Sequence, residues 1–138
     1  MITATVLVLL SLVVTQGVPG HPTSELVGRW TGSSVCTKAD WNAACHDESA
    51  LYDFKEGVVP GHVLSKGYKV VNGKPEYMGD LDFAYDETAK AWVAEFSGPS
   101  VQSRWIFEPH GDDLRGRAVL LPSMRVGRTI HVTRQPSR

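Results

Sequence analysis

An all-β fold, an eight-stranded antiparallel up-and-down barrel, is predicted for this 138-residue chain by three observations. Short segments with period-two alternation follow one another, turn residues separate them, and no stretch carries helical periodicity long enough to compete. The candidate strands are Leu26–Val35, His46–Lys55, His62–Val71, Glu76–Tyr85, Ala91–Ser97, Gln102–Glu108, Asp113–Leu121 and Val126–Arg134. Connections this short make consecutive strands antiparallel neighbours, and a closed meander leaves no free sheet edge.

The first strand opens on Leu26-Val27-Gly28-Arg29-Trp30, whose indole near the strand start can fill one end of a small closed sheet. Breaks fall at Gly57–Gly61, Asn72–Pro75, Asp86–Lys90, Gly98–Ser100, His110–Asp112 and Pro122-Ser123, with Asn72-Gly73 the strongest hairpin signal. In the later strands large apolar residues share one parity: Leu81, Phe83 and Tyr85; Trp92, Ala94 and Phe96; Trp105 and Phe107; Leu114, Ala118 and Leu120. Asp80, Asp82, Glu95, Arg104, Arg115 and Arg117 hold the other, which defines an inside and an outside.

Up-and-down order assigns the ends. Trp30, Phe54, Tyr85, Trp92 and Phe107 gather at the bottom as an aromatic plug, with Arg134 arriving beside Trp30 at the closing seam. Ser34, Glu48, Tyr77, Ser103 and Arg128 gather at the top, so one end reads as filled and the other as polar and open.

Residues Thr5–Val14 are almost wholly apolar and are followed by small residues and helix breakers, the pattern of a cleaved secretory leader. The expected organisation is a signal peptide over 1–20 and a barrel over 21–138, with retention of the apolar run as a membrane anchor the alternative. Export, periplasmic or extracellular, suits the cysteines. Cys36 and Cys45 are the only 2, and in an oxidising compartment they read as one disulfide worth roughly 2–3 kcal/mol. Two cysteines with His46 beside them do not make a zinc site.

The formal net charge of -1 gives no reason to expect nucleic acid or an acidic membrane surface. From Pro99 onward the basic side chains are all arginines, which reads either as a solvated outer face or as a surface for an anionic partner.

Gly28-x-Trp30 on the first strand, with an arginine on the last able to pack over the indole, resembles the lipocalin and wider calycin pattern. The resemblance implies a barrel closed at one end and binding small, mostly hydrophobic molecules at the other. Arg134 is the matching arginine, with Arg128 second. No Thr-Asp-Tyr motif and no helix after the last strand are found. The length and the serines after Trp30 are also similar to avidins, but the first-strand Asn and the spaced tryptophans of a biotin site are not matched in order, so biotin is not expected. A more specific resemblance is to small exported bacterial lipocalin-like proteins of unknown function. These share the Gly28-x-Trp30-x-Gly32-x-Ser34-x-Cys36 opening, a short disulfide loop and the stretch Met78-Gly79-Asp80-Leu81-Asp82-Phe83-Ala84-Tyr85-Asp86.

A concave, aromatic-walled interior with a few convergent polar groups is the usual form of a small-molecule site. Ser34, Glu48, Tyr77, Phe83, Trp105 and Arg128 are the expected ligand contacts, with Arg128 able to pair with an acidic head group. Trp30, Trp92 and Arg134 are the structural plug. The expected ligand is a small hydrophobic or amphipathic molecule. The alternative is a packed interior in which Glu48 and Arg128 neutralise each other, leaving a protein-interaction module, an inhibitor or surface protein, that works through its loops. Trp41, in the middle of the disulfide loop, would then anchor a protein partner, or else fold back as a lid. No nucleophile, base and orienter converge in the pattern, so catalysis, a metal and a cofactor are not expected. His46-Asp47-Glu48 and His110–Asp113 are the only metal-like clusters, and they read as a strand end and a turn.

Overall fold

The computed structural model describes residues 20–37 and 45–137. The expected leader, apart from Gly20, and Trp41 lie outside the described residues. Eight strands form one closed antiparallel barrel in chain order: β1 Gly28–Cys36, β2 Glu48–Glu56, β3 Val63–Val71, β4 Lys74–Asp86, β5 Ala91–Ser97, β6 Gln102–His110, β7 Asp113–Leu120 and β8 Val126–Arg134. A single 3-10 turn, Thr23–Glu25, precedes β1. Among the described residues no helix is long and apolar enough to cross a membrane. Cys36 and Cys45 form the disulfide at the top of β1.

The connections obey local chemistry. Asn72 and Gly73 both take positive φ, 51° and 77°, the requirement of a two-residue hairpin turn whose twist matches the flanking strands. Val71 therefore pairs directly with Lys74. The sequence places a break through Pro75, yet β4 runs straight through it, because β4 has no second neighbour at that height and a missing N–H is tolerated on such an edge. The Asp86 carboxylate caps the next turn, accepting from Thr88 N and Ala89 N at 2.8 and 2.9 Å.

Inside, the lower half is solid. Trp30, Phe54, Phe83, Trp92, Phe107 and Leu114 are fully buried or nearly so. Phe83 and Phe107 stack at 5.1 Å between centroids, and Phe54 meets both rings edge-on at 5.8 Å. Leu26, just ahead of β1, closes the bottom and is itself buried.

The closing seam depends on Trp30. Its Nε1 donates to Leu26 O at 2.8 Å, and the Arg134 guanidinium lies 4.4 Å above the ring. Arg134 also donates to Val27 O, to Glu25 O at 2.7 Å and to Asp112 Oδ1 at 3.0 Å, which ties the entering chain and the β6–β7 turn to the last strand. Two glycines make room. Gly28 has φ 138°, and a Cβ there would stand 3.0 Å from Arg134 Nη1. A Cβ at Gly32 would meet His131 O at 2.1 Å, a backbone contact that cannot swing away, so β8 crosses β1 closely only because Gly32 has no side chain.

A second apolar cluster was not anticipated. Ala91, Ile106 and Val119 are buried on the outer parity, with Val93 and Val126 packed against them. Their cross-strand neighbours include the arginines, Val119 opposite Arg104 and Ile106 opposite Arg117, in positions where long stems can cover them. Arg104, Arg115 and Arg117 pair with Glu95, Asp113 and Glu108 at 2.8, 3.6 and 3.3 Å. This outer face is therefore charge-balanced and screened, rather than an open cationic surface.

Trp30→Ala should destabilise the domain by about 3–5 kcal/mol, the range for deleting a large buried aromatic, read from urea unfolding followed by circular dichroism. A variant as stable as the parent would mean that the indole does not hold the seam.

Candidate ligand-binding site

Above the aromatic floor the lining residues become small, and a cavity of about 210 Å³ opens. Ser34 on β1, Ala50 on β2, Ser65 and Gly67 on β3 and Gly79 on β4 leave the space; Tyr52 forms its base and Trp105 and Phe96 its far wall. Ser34 and Ser65 are buried at 2% and 1% exposure. Among the described residues no buried side-chain polar atom lacks a hydrogen-bond partner.

The polar groups converge on one arc. Arg128 Nη1 donates to Ser34 Oγ at 2.8 Å, its Nη2 donates to His46 O at 2.8 Å, and Glu48 Oε1 stands 3.7 Å from Nη2. Arg128, Ser34 and Glu48 come from β8, β1 and β2, which are adjacent around the barrel, and His46 lies just ahead of β2. Glu48 and Arg128 thus neutralise each other in a half-buried pair, and the guanidinium donates from both terminal nitrogens. Burial holds the Tyr52 phenol above the ordinary tyrosine range; Arg128 and a Ser34 hydrogen bond oppose that rise and Glu48 adds to it.

Four of the expected contacts meet here: Ser34, Glu48, Trp105 and Arg128 all line the cavity. Two do not. Phe83 has no exposed surface and belongs to the floor, stacked on Phe107 beneath the cavity. Tyr77 is 57% exposed and its hydroxyl donates to Asp80 Oδ1 at 2.6 Å. The cause is a bulge. Gly67 pairs with Gly79 but Tyr68 pairs with Tyr77, so Met78 is an extra residue and the alternation carried up from Phe83 fails beyond it. Met78 and Tyr68 line the cavity in its place. An isolated glycine inside a strand, Gly79, was the available signal. Tyr52 and Ala50 complete the lining from β2.

The plug residues sit at the other end. Trp92 Nε1 donates to Glu25 Oε1 at 2.7 Å, His21 bonds the same carboxylate, and the His21 ring stacks on Tyr85 at 3.6 Å. The sequence clusters considered for a metal are occupied otherwise. Asp47 Oδ1 accepts from Cys36 N at 2.9 Å, and Asp113 bonds His131 across to β8, which lowers the Asp113 carboxyl value. Among the described residues no group of three or more His, Cys, Asp or Glu side chains is placed to hold a metal ion.

Because the Tyr52 value is raised in the folded state, its stabilising share is fully present below the unfolded value of about 10 and is lost as pH rises past it. Urea unfolding across pH 9 to 11 should show stability falling on the alkaline side, with a shallower fall in Tyr52→Phe. An unchanged slope would mean that Tyr52 is not held in a dry site. In comparisons with protein-family models, curated proteins and solved structures, nothing matches this chain.

Proposed function

We propose that this protein is an exported, non-catalytic carrier whose barrel takes up a small amphipathic molecule. The observation that carries the reading is the division of the cavity lining. Ser34, Glu48 and Arg128 stand on the β8–β1–β2 arc, and Tyr68, Met78, Leu81, Phe96 and Trp105 on the opposite β3–β6 wall, with Ser65 and Asp80 the polar exceptions and Ala50 and Tyr52 of β2 completing the lining. A molecule with one polar end and an apolar body has a single way to satisfy both sides.

Size and electrostatics narrow the ligand. About 210 Å³ exceeds the roughly 150 Å³ cavity that accepts benzene and falls below the roughly 300–1,000 Å³ of drug-sized sites. The buried portion is then a ring or a short chain with one head group. Since Glu48 already balances Arg128, the favoured head group both donates and accepts, as an alcohol or amide does, and a bare anion would have to displace Glu48. Export rests on the apolar leader and the Cys36–Cys45 disulfide, which persists in oxidising compartments.

Native mass spectrometry of the mature protein from its own exported fraction tests this reading. A mass excess that vanishes on denaturation is expected. It should be lost in Ala50→Phe, whose ring would occupy the cavity at a stability cost of about 1–3 kcal/mol. A native mass equal to the disulfide-bonded chain alone, together with no binding of hexan-1-ol by isothermal titration calorimetry, would overturn it.

A further inference from the structure

The barrel is not zipped along its whole length. β4 has 13 residues, yet its register with β5 holds three pairs: Ala84 with Val93, Tyr85 with Trp92 and Asp86 with Ala91. Above them β4 continues from Phe83 to Lys74 paired with β3 alone, and β5 continues from Ala94 to Ser97 paired with β6 alone. Extending the lower register would set Leu81 opposite Phe96, and both line the cavity. The upper barrel wall therefore has a lateral cleft that opens into the cavity.

The rim of that cleft is apolar and exposed. Met78 and Phe96 line the cavity and also face solvent, at 57% and 44% exposure. Tyr77 lies beside them, with its ring 5.7 Å from that of Tyr68. Water-facing side chains of this size are ordinary singly, but here they continue the cavity lining outward. An added peptide strand is the other occupant that an open edge invites. β4 is built against it: Pro75 lacks a donor, the bulge at Met78 breaks the ladder, and Lys74, Glu76, Asp80 and Asp82 put charges along the edge.

We infer that the ligand is a single-chain amphiphile longer than the cavity, with its head group at Ser34, Glu48 and Arg128 and its tail leaving through the β4–β5 cleft across Met78 and Phe96. This rests on the carrier reading and specifies its ligand class. The cleft lies on the wall opposite the polar arc, so a chain anchored by its head points at the opening. The aqueous cost of the emerging methylenes is lowered by the rim.

The test uses the oxidised full barrel and a series of 1-alkanols from hexan-1-ol to tetradecan-1-ol, followed by calorimetry and by intrinsic tryptophan fluorescence. Affinity should rise about fourfold per methylene through the short members and keep rising, less steeply, once the cavity is full. In the double variant Met78→Asp, Phe96→Asp, which also alters the cavity wall, every member should bind more weakly and the later rise should disappear. Both positions are exposed, and circular dichroism of the variant checks its fold. Met124→Asp, on the exposed β7–β8 turn at the top of the barrel, should leave the series unchanged. A plateau in the parent after the short members would overturn the cleft while leaving the carrier. So would a double variant that tracks the parent throughout, or a series cut short by Met124→Asp instead. If hexan-1-ol itself fails to bind the parent, the carrier reading and the cleft fall together.

Discussion

The buried indole of Trp30 is the contact on which the barrel depends, because it stands where the first and last strands must meet. One ring joins three separate pieces of chain: its nitrogen holds the Leu26 carbonyl, its face receives Arg134, and its edges fill the floor. Arg134, held over the ring, gathers the carbonyls of the entering segment. That arrangement requires Gly28 to take a positive φ and Gly32 to stay without a side chain. A sheet of eight strands has two edges until such a contact closes them, and closure is what removes the exposed backbone groups from both.

The cavity follows from how the floor is filled. An eight-stranded barrel is only just wide enough to hold its own side chains, so large and small residues along the strands decide where it is solid. Phenylalanine and tryptophan occupy the lower layers; serine, alanine and glycine occupy the inward positions above Tyr52 on β1 to β4. The space is thus produced mainly by substitution of volume, beside the bulge at Met78. Placing Glu48 against Arg128 beside it keeps two ionised groups tolerable at 24% and 14% side-chain exposure, with Arg128 also donating to the His46 carbonyl.

Much of this was legible because alternation survives along most strands. The strand order, the aromatic floor and the meeting of Ser34, Glu48, Trp105 and Arg128 all follow from parity and turn positions. Where parity broke, the reading broke with it. A bulge at Met78 turned Tyr77 out and brought Met78 to the cavity, and a second register shift between Ala118 and Val119 set Val126 against Val119 on the outer surface. One extra residue leaves almost no trace in a pattern of period two. Phe83 was assigned to the correct face but the wrong depth, since parity ranks faces and says nothing about which layer a residue occupies. The β4–β5 opening was illegible for a related reason: strand-forming composition on both sides predicts two strands, and pairing between them depends on how the barrel tilts and coils.

The composition of β4 bears on whether that opening belongs to the fold. In a barrel zipped throughout, β4 would be a central strand. A proline and a bulge would then be out of place, and the proline would remove a ladder bond. These are the features by which proteins guard a permanently exposed edge. They occur on the part of β4 that lacks a second partner, and below Phe83, where pairing with β5 resumes, the strand reads Ala84-Tyr85-Asp86 without proline or bulge. The cleft is therefore written into the strand that borders it. A strand that is guarded against other strands but carries exposed Tyr77 and Met78 is arranged to exclude a peptide while still offering apolar surface.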